Sequence, residues 1–443
     1  MRVAIVGAGI SGLACAFYLQ QTRPDWELLV FDRRERPGGT MATVNVDGFL
    51  FEAGANGFLT NKPDGLDLVR ASGASELLLP SSDLARKRFI YTDGLHRLPE
   101  SPPQFLTTRL LTLVHKLRVA GELLVPRRRD GVDETLQEFG YRRLGKGFTD
   151  VLLDAMVAGI YATTPDRVSV GATFPQVTAL EREYGGLLRG MLARRRTHAG
   201  PGGTLMSFRG GVGAFVDHLR TTIDADWRLG ERVVALRRNH AGWHLETACR
   251  DNRVDRVIVS APAHAASAML AATDAELSAG LGAIEYTPIA VVGFGYRNLA
   301  HPLDGYGLLT TTSAALPILG VLWDSSIFAA RAPVDCKCVR VMIGGQRNPE
   351  LVNQDEPELI ATARAGLRTT MDIDESPDAV FVKRWPRGIP SYARGHTARV
   401  AAIFERLARY PGLYLHCNAY RGIAMNDCVR NSHELAARVA ASQ

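Results

Sequence analysis

The chain opens on a short apolar run, Val3 to Val6, that gives way to Gly7-Ala8-Gly9-Ile10-Ser11-Gly12 and then to a helical apolar pattern from Leu13 to Leu19. A β-branched run bounded by glycine is the mark of a buried parallel strand. The G-x-G-x-x-G spacing constrains the fold more than any other feature, because each glycine has its own steric task. Gly7 permits a tight turn, Gly9 lets the backbone approach a pyrophosphate, and Gly12 lets helix and strand pack closely. The helix then aims free N–H groups and its positive dipole end at the phosphates. A second strand over residues 27–31 ends in Asp32, placed to accept ribose hydroxyls. The spacing predicts a Rossmann-like dinucleotide-binding unit at the start of the chain.

A chain of 443 residues is long enough for two or three domains with sizeable cores. Its net charge of +6 comes mostly from arginine and weakly favours an anionic substrate or a membrane surface. Nucleic acid is not expected, since no basic stretch is interleaved with aromatics. Among six cysteines only Cys336 and Cys338 are close, and C-x-C lacks metal-site spacing, so no metal is expected. With the nucleotide strand at residue 2 no signal peptide is expected, and no apolar stretch reaches membrane-spanning length. The expected location is cytoplasmic, with peripheral attachment to the cytoplasmic face of the cell membrane left open.

The residues after Asp32 distinguish FAD from NAD. Arg33 to Pro37 lead to Gly38-Gly39-Thr40, where a second glycine pair lets backbone amides cover a diphosphate from the other side. This pattern resembles the FAD-binding amine oxidase and protoporphyrinogen oxidase superfamily. Several later segments resemble its porphyrinogen oxidases: F-E-A-G-A-N-G-F at 51–58, R-F-I-Y-T-D-G-L-H-R-L-P at 88–99, G-I-Y-A at 159–162, R-W-P-R-G-I-P-S-Y-A-R-G-H at 384–396 and G-I-A-M-N-D-C-V at 422–429. The resemblance covers nearly the whole chain. It implies non-covalent FAD held by Gly7, Ala8, Gly9, Ile10, Ser11, Gly12, Asp32, Arg33, Gly39 and Thr40. Gly54, Ala55, Asn56 and Gly57 would run beside the flavin, Val233 would meet the adenine, and Trp385, Ile423, Ala424 and Met425 complete the set. Cys417 stands where the family usually has glycine, which puts the approach of the flavin there in question.

The same resemblance implies an α/β fold (α+β in its second half) of three parts. A discontinuous FAD-binding domain takes residues 1–85, 204–263 and 395–443, and a mixed-sheet substrate domain takes 86–99 and 264–394. A helical insertion takes 100–203. Read locally, residues 44–52 form a hairpin closed at Asp47-Gly48, and 86–103 one closed at Asp93-Gly94. Residues 229–236 read as one strand, 134–158 as continuing helix, and 194–203 as a basic glycine-rich surface linker. Leu106, Leu110, Leu113, Leu117, Ala120 and Leu124 make a helical stripe over 105–125 with Arg109, Lys116 and Arg118 among them. Such a stripe is either core packing or a membrane-interface helix.

The implied activity is the six-electron oxidation of protoporphyrinogen IX to protoporphyrin IX in haem biosynthesis. Oxygen or another acceptor reoxidises the flavin, and oxygen yields hydrogen peroxide. Arg88 is expected to hold a substrate propionate, unless it is a solvated edge-strand charge. Tyr306 and Met342 are expected as walls of a flat apolar cavity, although the family has phenylalanine more often at the position of Tyr306. Coproporphyrinogen III, with four propionates, is the alternative substrate, and an amine oxidase or desaturase on the same scaffold is a further one. No catalytic side chain is assigned, since the cofactor carries the chemistry. A homodimer is left open.

Overall fold

The computed structural model describes residues 1–197, 203–240, 242–248 and 251–442. Strand Arg2–Val6 is the middle of a five-stranded parallel sheet, ordered Asp226–Leu229, Glu27–Asp32, Arg2–Val6, Arg256–Val259, Leu413–Leu415. The three central strands read as unbroken apolar runs because both sheet faces are covered. Helices Ile10–Thr22, Val212–Thr222 and Met425–Ala441 pack on one face. The other face is covered by a three-stranded antiparallel sheet, Val233–Asn239, Gly242–Thr247 and Asp251–Val254, with helices Ala263–Leu270 and Ala275–Gly282. The nucleotide sheet therefore draws strands from widely separated parts of the chain. The single strand expected over 229–236 is instead two, parted at Gly230 (φ +76°), and they belong to different sheets.

A second, seven-stranded mixed sheet runs Ala379–Pro390, Tyr286–Tyr296, Lys337–Gly344, Ile318–Leu322, Gly307–Thr310, Arg88–Tyr91, Leu95–Arg97. Side chains alternate across it. Ala290, Val292, Leu308, Val321, Val341 and Ile343 face helix Glu356–Met371 and bury a common core with Leu359, Ala363 and Leu367. The register aligns Val291, Met342, Gly320, Leu309 and Ile90 in one row on the opposite face. That face looks towards the helical segment.

The helical segment departs most from expectation. Residues 105–125 are not one helix: Pro102–Thr107 and Leu113–Ala120 are separated, the second capped by Thr112, and a tight turn Gly121–Leu124 follows. Leu110 and Val119 are buried, but Leu106, Leu113, Val114, Leu117 and Leu124 are 64–87% exposed. Core packing does not account for this stripe. Residues 134–158 are likewise broken at Gly145 (φ +88°) into Leu136–Arg143, Lys146–Phe148, a wide turn Thr149–Leu153, and Asp154–Tyr161. The expected linker begins later than residue 194, because helix Leu187–Thr197 runs into it, and 198–202 lie outside the described residues. Cys249 also lies outside them, and Cys15, Cys336, Cys338, Cys417 and Cys428 are free thiols.

Buried charge joins the two sheets. Glu52, at the end of strand Phe49–Glu52, pairs with Arg331 at 2.9 Å, takes the Val212 N–H at 3.0 Å and accepts from Thr43 Oγ1 at 2.6 Å. Arg340 donates to the Glu52 carbonyl at 2.7 Å and grips Asp324 through two nitrogens. All four charged side chains are essentially inaccessible to water. Burial of such ions is tolerated only when each is paired and hydrogen-bonded. Asp324→Ala leaves the Arg340 guanidinium buried without its counter-charge and is expected to cost about 3–5 kcal/mol, read as a lowered urea midpoint at unchanged slope.

Candidate cofactor and substrate site

The first turn of helix Ile10–Thr22 has Gly9 as its N-cap, with no side-chain cap and no acidic residue. Its leading N–H groups are therefore free for an anion. Gly7 holds φ +110° with its backbone against Ser260 and Ala261, and a Cβ at Gly12 would stand 1.9 Å from the Gly7 carbonyl. Gly9 differs: a Cβ there would meet no protein atom within 4 Å. It faces a cavity of about 740 Å³.

Asp32 is held at the rim of this cavity, accepting the N–H groups of Ala8 and Arg34, each at 2.9 Å. Gly38 donates to the Ala8 carbonyl at 2.7 Å, so the second glycine pair folds onto the first. Arg34, which sequence reasoning did not single out, donates to the Gly39 carbonyl at 2.8 Å and lies over the Trp385 ring. Trp385 donates to the Ala53 carbonyl at 2.7 Å.

The cavity brings together Gly7, Gly9, Ile10, Ser11, Asp32, Arg33, Gly39, Thr40, Ala55, Val233, Trp385, Ile423 and Met425. Ala8 and Gly12 stand behind this wall, as backbone partners of Asp32 and of Gly7. Ala424 is the N-cap of helix Met425–Ala441, whose start closes the far end. Gly54 packs on the Thr40 carbonyl, and Gly57 lies so close to Met206 that a Cβ would overlap its carbonyl. Asn56 is turned towards Tyr306. Arg232, His264, Tyr286, Lys383, Arg387 and Asn418 also line the cavity without having been anticipated, and Cys417 lines it as the sequence suggested. Their strands and loops meet only in the folded chain. Burial, reinforced by Arg387 and Arg33, pushes the His264 imidazolium down and keeps it neutral.

Cys417 takes no left-handed backbone conformation, so glycine is not required there. Its sulfur accepts from the Ala419 N–H at 3.5 Å, and burial pushes the thiol up to about 12. A thiol held protonated is a poor nucleophile, which suits a non-covalently held cofactor.

The segment 422–428 has a mechanical role as well. Asn426 accepts from the Gly65 N–H at 2.9 Å and donates to the Leu59 carbonyl at 2.8 Å, while Asp427 pairs with Lys62 at 2.7 Å. The loop after Phe58–Leu59 is thereby clamped to the start of the last helix. Side chains able to ligate a metal are not gathered into a cluster anywhere among the described residues.

The residues expected to contact substrate lie on or beside the second sheet, outside this cavity. Arg88 and Met342 share the face opposite helix Glu356–Met371, three strand spacings across and two residues along, roughly 16 Å apart. Tyr306 immediately precedes strand Gly307–Thr310, with Arg88 over its ring at 5.2 Å. Met342 and Tyr306 are both half-buried.

His416 is buried behind the cavity residue Cys417, its Nε2 2.7 Å from Ser432 Oγ, which donates to the Ser11 carbonyl at 3.0 Å. Burial pushes its imidazolium down to about 4. The unfolded chain takes up this proton near pH 6.5 and the folded one resists it, so stability is intact above about pH 6.5. It falls as pH drops towards 4, by about 1.4 kcal/mol per pH unit for one proton. His416→Gln is expected to flatten the decline of the urea midpoint between pH 7 and 5, and an unchanged slope would assign the proton elsewhere.

Comparison with known proteins agrees with this geometry. The family described as "Flavin containing amine oxidoreductase" matches residues 10–440. The chain is 27% identical to the coproporphyrinogen III oxidase of Bacillus subtilis, over 97% of this chain and 95% of that protein. It is 28% identical to the chloroplastic protoporphyrinogen oxidase of Nicotiana tabacum, over 98% of this chain and 84% of that protein. The crystal structure of an Exiguobacterium sp. 255-15 protein, described as a "Putative protoporphyrinogen oxidase", superposes with a TM-score of 0.88 at 29% identity, covering 100% of this chain and 99% of that one. With this match along the chain and a glycine-lined cavity that fits FAD, the protein belongs to the flavin containing amine oxidoreductase family and is an FAD-dependent oxidoreductase.

Proposed function

We propose that the protein oxidises protoporphyrinogen IX to protoporphyrin IX in haem synthesis, removing six electrons with oxygen as acceptor and releasing hydrogen peroxide. The observation that carries this reading is the sheet face bearing Arg88 and Met342, together with relatives named as porphyrinogen oxidases. FAD bound in the cavity supplies the two-electron redox chemistry. The chain's residues bind and orient. The uncapped amides after Gly9 and the rim residue Asp32 hold the dinucleotide, and the start of helix Met425–Ala441 sets a positive dipole end at the far wall. Arg88, a guanidinium free of an acidic partner among the described residues, suits a propionate.

The second reading, coproporphyrinogen III as substrate, is favoured by the near-complete match to the Bacillus subtilis enzyme. Aerobic incubation with each porphyrinogen, following porphyrin fluorescence and peroxide against a no-enzyme control, separates the two. Faster turnover of protoporphyrinogen is the expected result. Preference for coproporphyrinogen would change the substrate and keep the chemistry, and turnover of neither with FAD bound would overturn both. Asp32→Ala is expected to weaken FAD by about tenfold or more through loss of a charged hydrogen-bond acceptor, measured by flavin fluorescence on dilution.

We also propose a peripheral contact with an anionic lipid surface through the exposed apolar side chains of 106–124. Leu113, Val114, Leu117 and Leu124 project into water beside Arg127 and Arg129, a combination suited to a membrane interface. Among the described residues no helix is long and apolar enough to cross a membrane. Sedimentation with vesicles containing phosphatidylglycerol should exceed that with phosphatidylcholine alone and fall for Leu113→Glu/Leu117→Glu. Equal recovery of the variant would refute the contact.

A further inference from the structure

Tyr392 and His396 follow Trp385 in the same sequence motif and meet behind one wall of the cofactor cavity. Gly395 between them takes a left-handed conformation (φ +77°) and turns the chain from strand Ala379–Pro390 into helix His396–Leu407. The turn lays the two buried rings together, 4.2 Å between centres and 14° from parallel. Each ring reaches a carbonyl of the same short loop. The Tyr392 hydroxyl donates to the Asn418 carbonyl at 2.6 Å, and His396 Nε2 lies 3.4 Å from the Tyr420 carbonyl. A carbonyl only accepts, so Nε2 carries the proton there. Cys417 and Asn418 of this loop line the cavity, whereas neither ring does, so both rings act through the loop. The pair is itself fixed from the helical segment. The Ser169 N–H donates to the Tyr392 carbonyl at 2.8 Å, and the Gly395 N–H donates to Asp133 at 2.8 Å.

We propose that Tyr392 and His396 are positioning residues that set the cavity wall at 417–420, and through it the hold on FAD and its absorbance. The loop's other hydrogen bonds among the described residues are internal, from the Ala419 N–H to the Cys417 sulfur and from the Tyr420 N–H to the Cys417 carbonyl. They fold the loop on itself without tying it to a neighbour. Freed of the phenol, the Asn418 carbonyl has to find another donor, and the loop reaches one only by moving the wall. Burial pushes the Tyr392 phenol up, so it stays protonated and donates. Burial pushes the His396 imidazolium down to about 4, so the stacked ring is neutral. The inference concerns the cofactor alone and holds whichever porphyrinogen is oxidised.

The test uses the FAD-loaded full chain, with FAD release read by flavin fluorescence after dilution and the flavin absorbance spectrum recorded beside it. Tyr392→Phe removes one hydroxyl and keeps the stacked ring. It is expected to speed FAD release about fivefold, as for one hydrogen bond lost, and to shift the flavin absorbance maxima. His396→Phe should act in the same direction. The double variant should fall short of the product of the two single effects, because either loss frees the same loop. Tyr410→Phe is the control: it removes a phenol hydrogen bond of 2.8 Å to Asp274, away from the cavity, and should leave both readouts unchanged. If Tyr392→Phe folds and keeps the wild-type FAD release and absorbance, the proposal is overturned. It is overturned also if Tyr410→Phe changes them as much, since the effect then reports general loosening. Should Tyr392→Phe not fold, His396→Phe decides by the same two readouts.

Discussion

The close approach of backbone to backbone at Gly7 and Gly12 is the constraint on which the rest of the structure depends. No side chain fits between the helix Ile10–Thr22 and the Gly7 carbonyl. Because they touch there, the first turn of the helix stands directly over the end of the central strand, with its amides uncapped. Those amides form a binding surface only while Ser11 stays buried under Ser432 and the last helix stays packed beside the first. The two ends of the chain thus build one site. The C-terminal helix packs in the core of the nucleotide domain and supplies the opposite wall of the cavity.

A second requirement is that the cofactor cavity and the seven-stranded sheet keep a fixed relation. Segment 52–57 runs between them and is restrained from several sides. Glu52 is tied to Arg331 and to the Val212 N–H, its carbonyl takes Arg340, and the next carbonyl, that of Ala53, takes Trp385. Charges buried this deeply are expensive to desolvate, and here each is offset by a close partner and further hydrogen bonds. What they contribute is position. Ala55 is held at the cofactor cavity while Asn56, one residue on, is turned towards Tyr306.

Elements set by local chemistry were legible. The hairpin at Asp47-Gly48 forms as expected because both residues take the left-handed conformation that such a turn demands. Strands Tyr286–Tyr296, Ile318–Leu322 and Lys337–Gly344 arise from their β-branched runs. The stripe over 105–125 misled because helical periodicity says which side chains share a face and nothing about what covers that face. Thr112, which looks unremarkable in sequence, caps a new helix and divides the pattern. The segment 229–236 read as one strand because Leu229 and the run Val233 to Leu236 look continuous in sequence, although the chain passes from one sheet to another between them. Asn426 and Asp427 were recognisable as part of a motif, yet their partners, Gly65, Leu59 and Lys62, lie more than 360 residues away in the chain.

The sequence alone determined the nucleotide-binding unit, its glycine geometry, Asp32 and the family, because these rest on the steric needs of a few consecutive residues and on motifs in a set order. Tertiary structure alone decided which buried charges pair, which apolar residues of the helical segment face water, and that Tyr392 and His396 grip one loop of the cofactor cavity. Those outcomes depend on strand register and on contacts between residues far apart in the chain, and no local pattern records either.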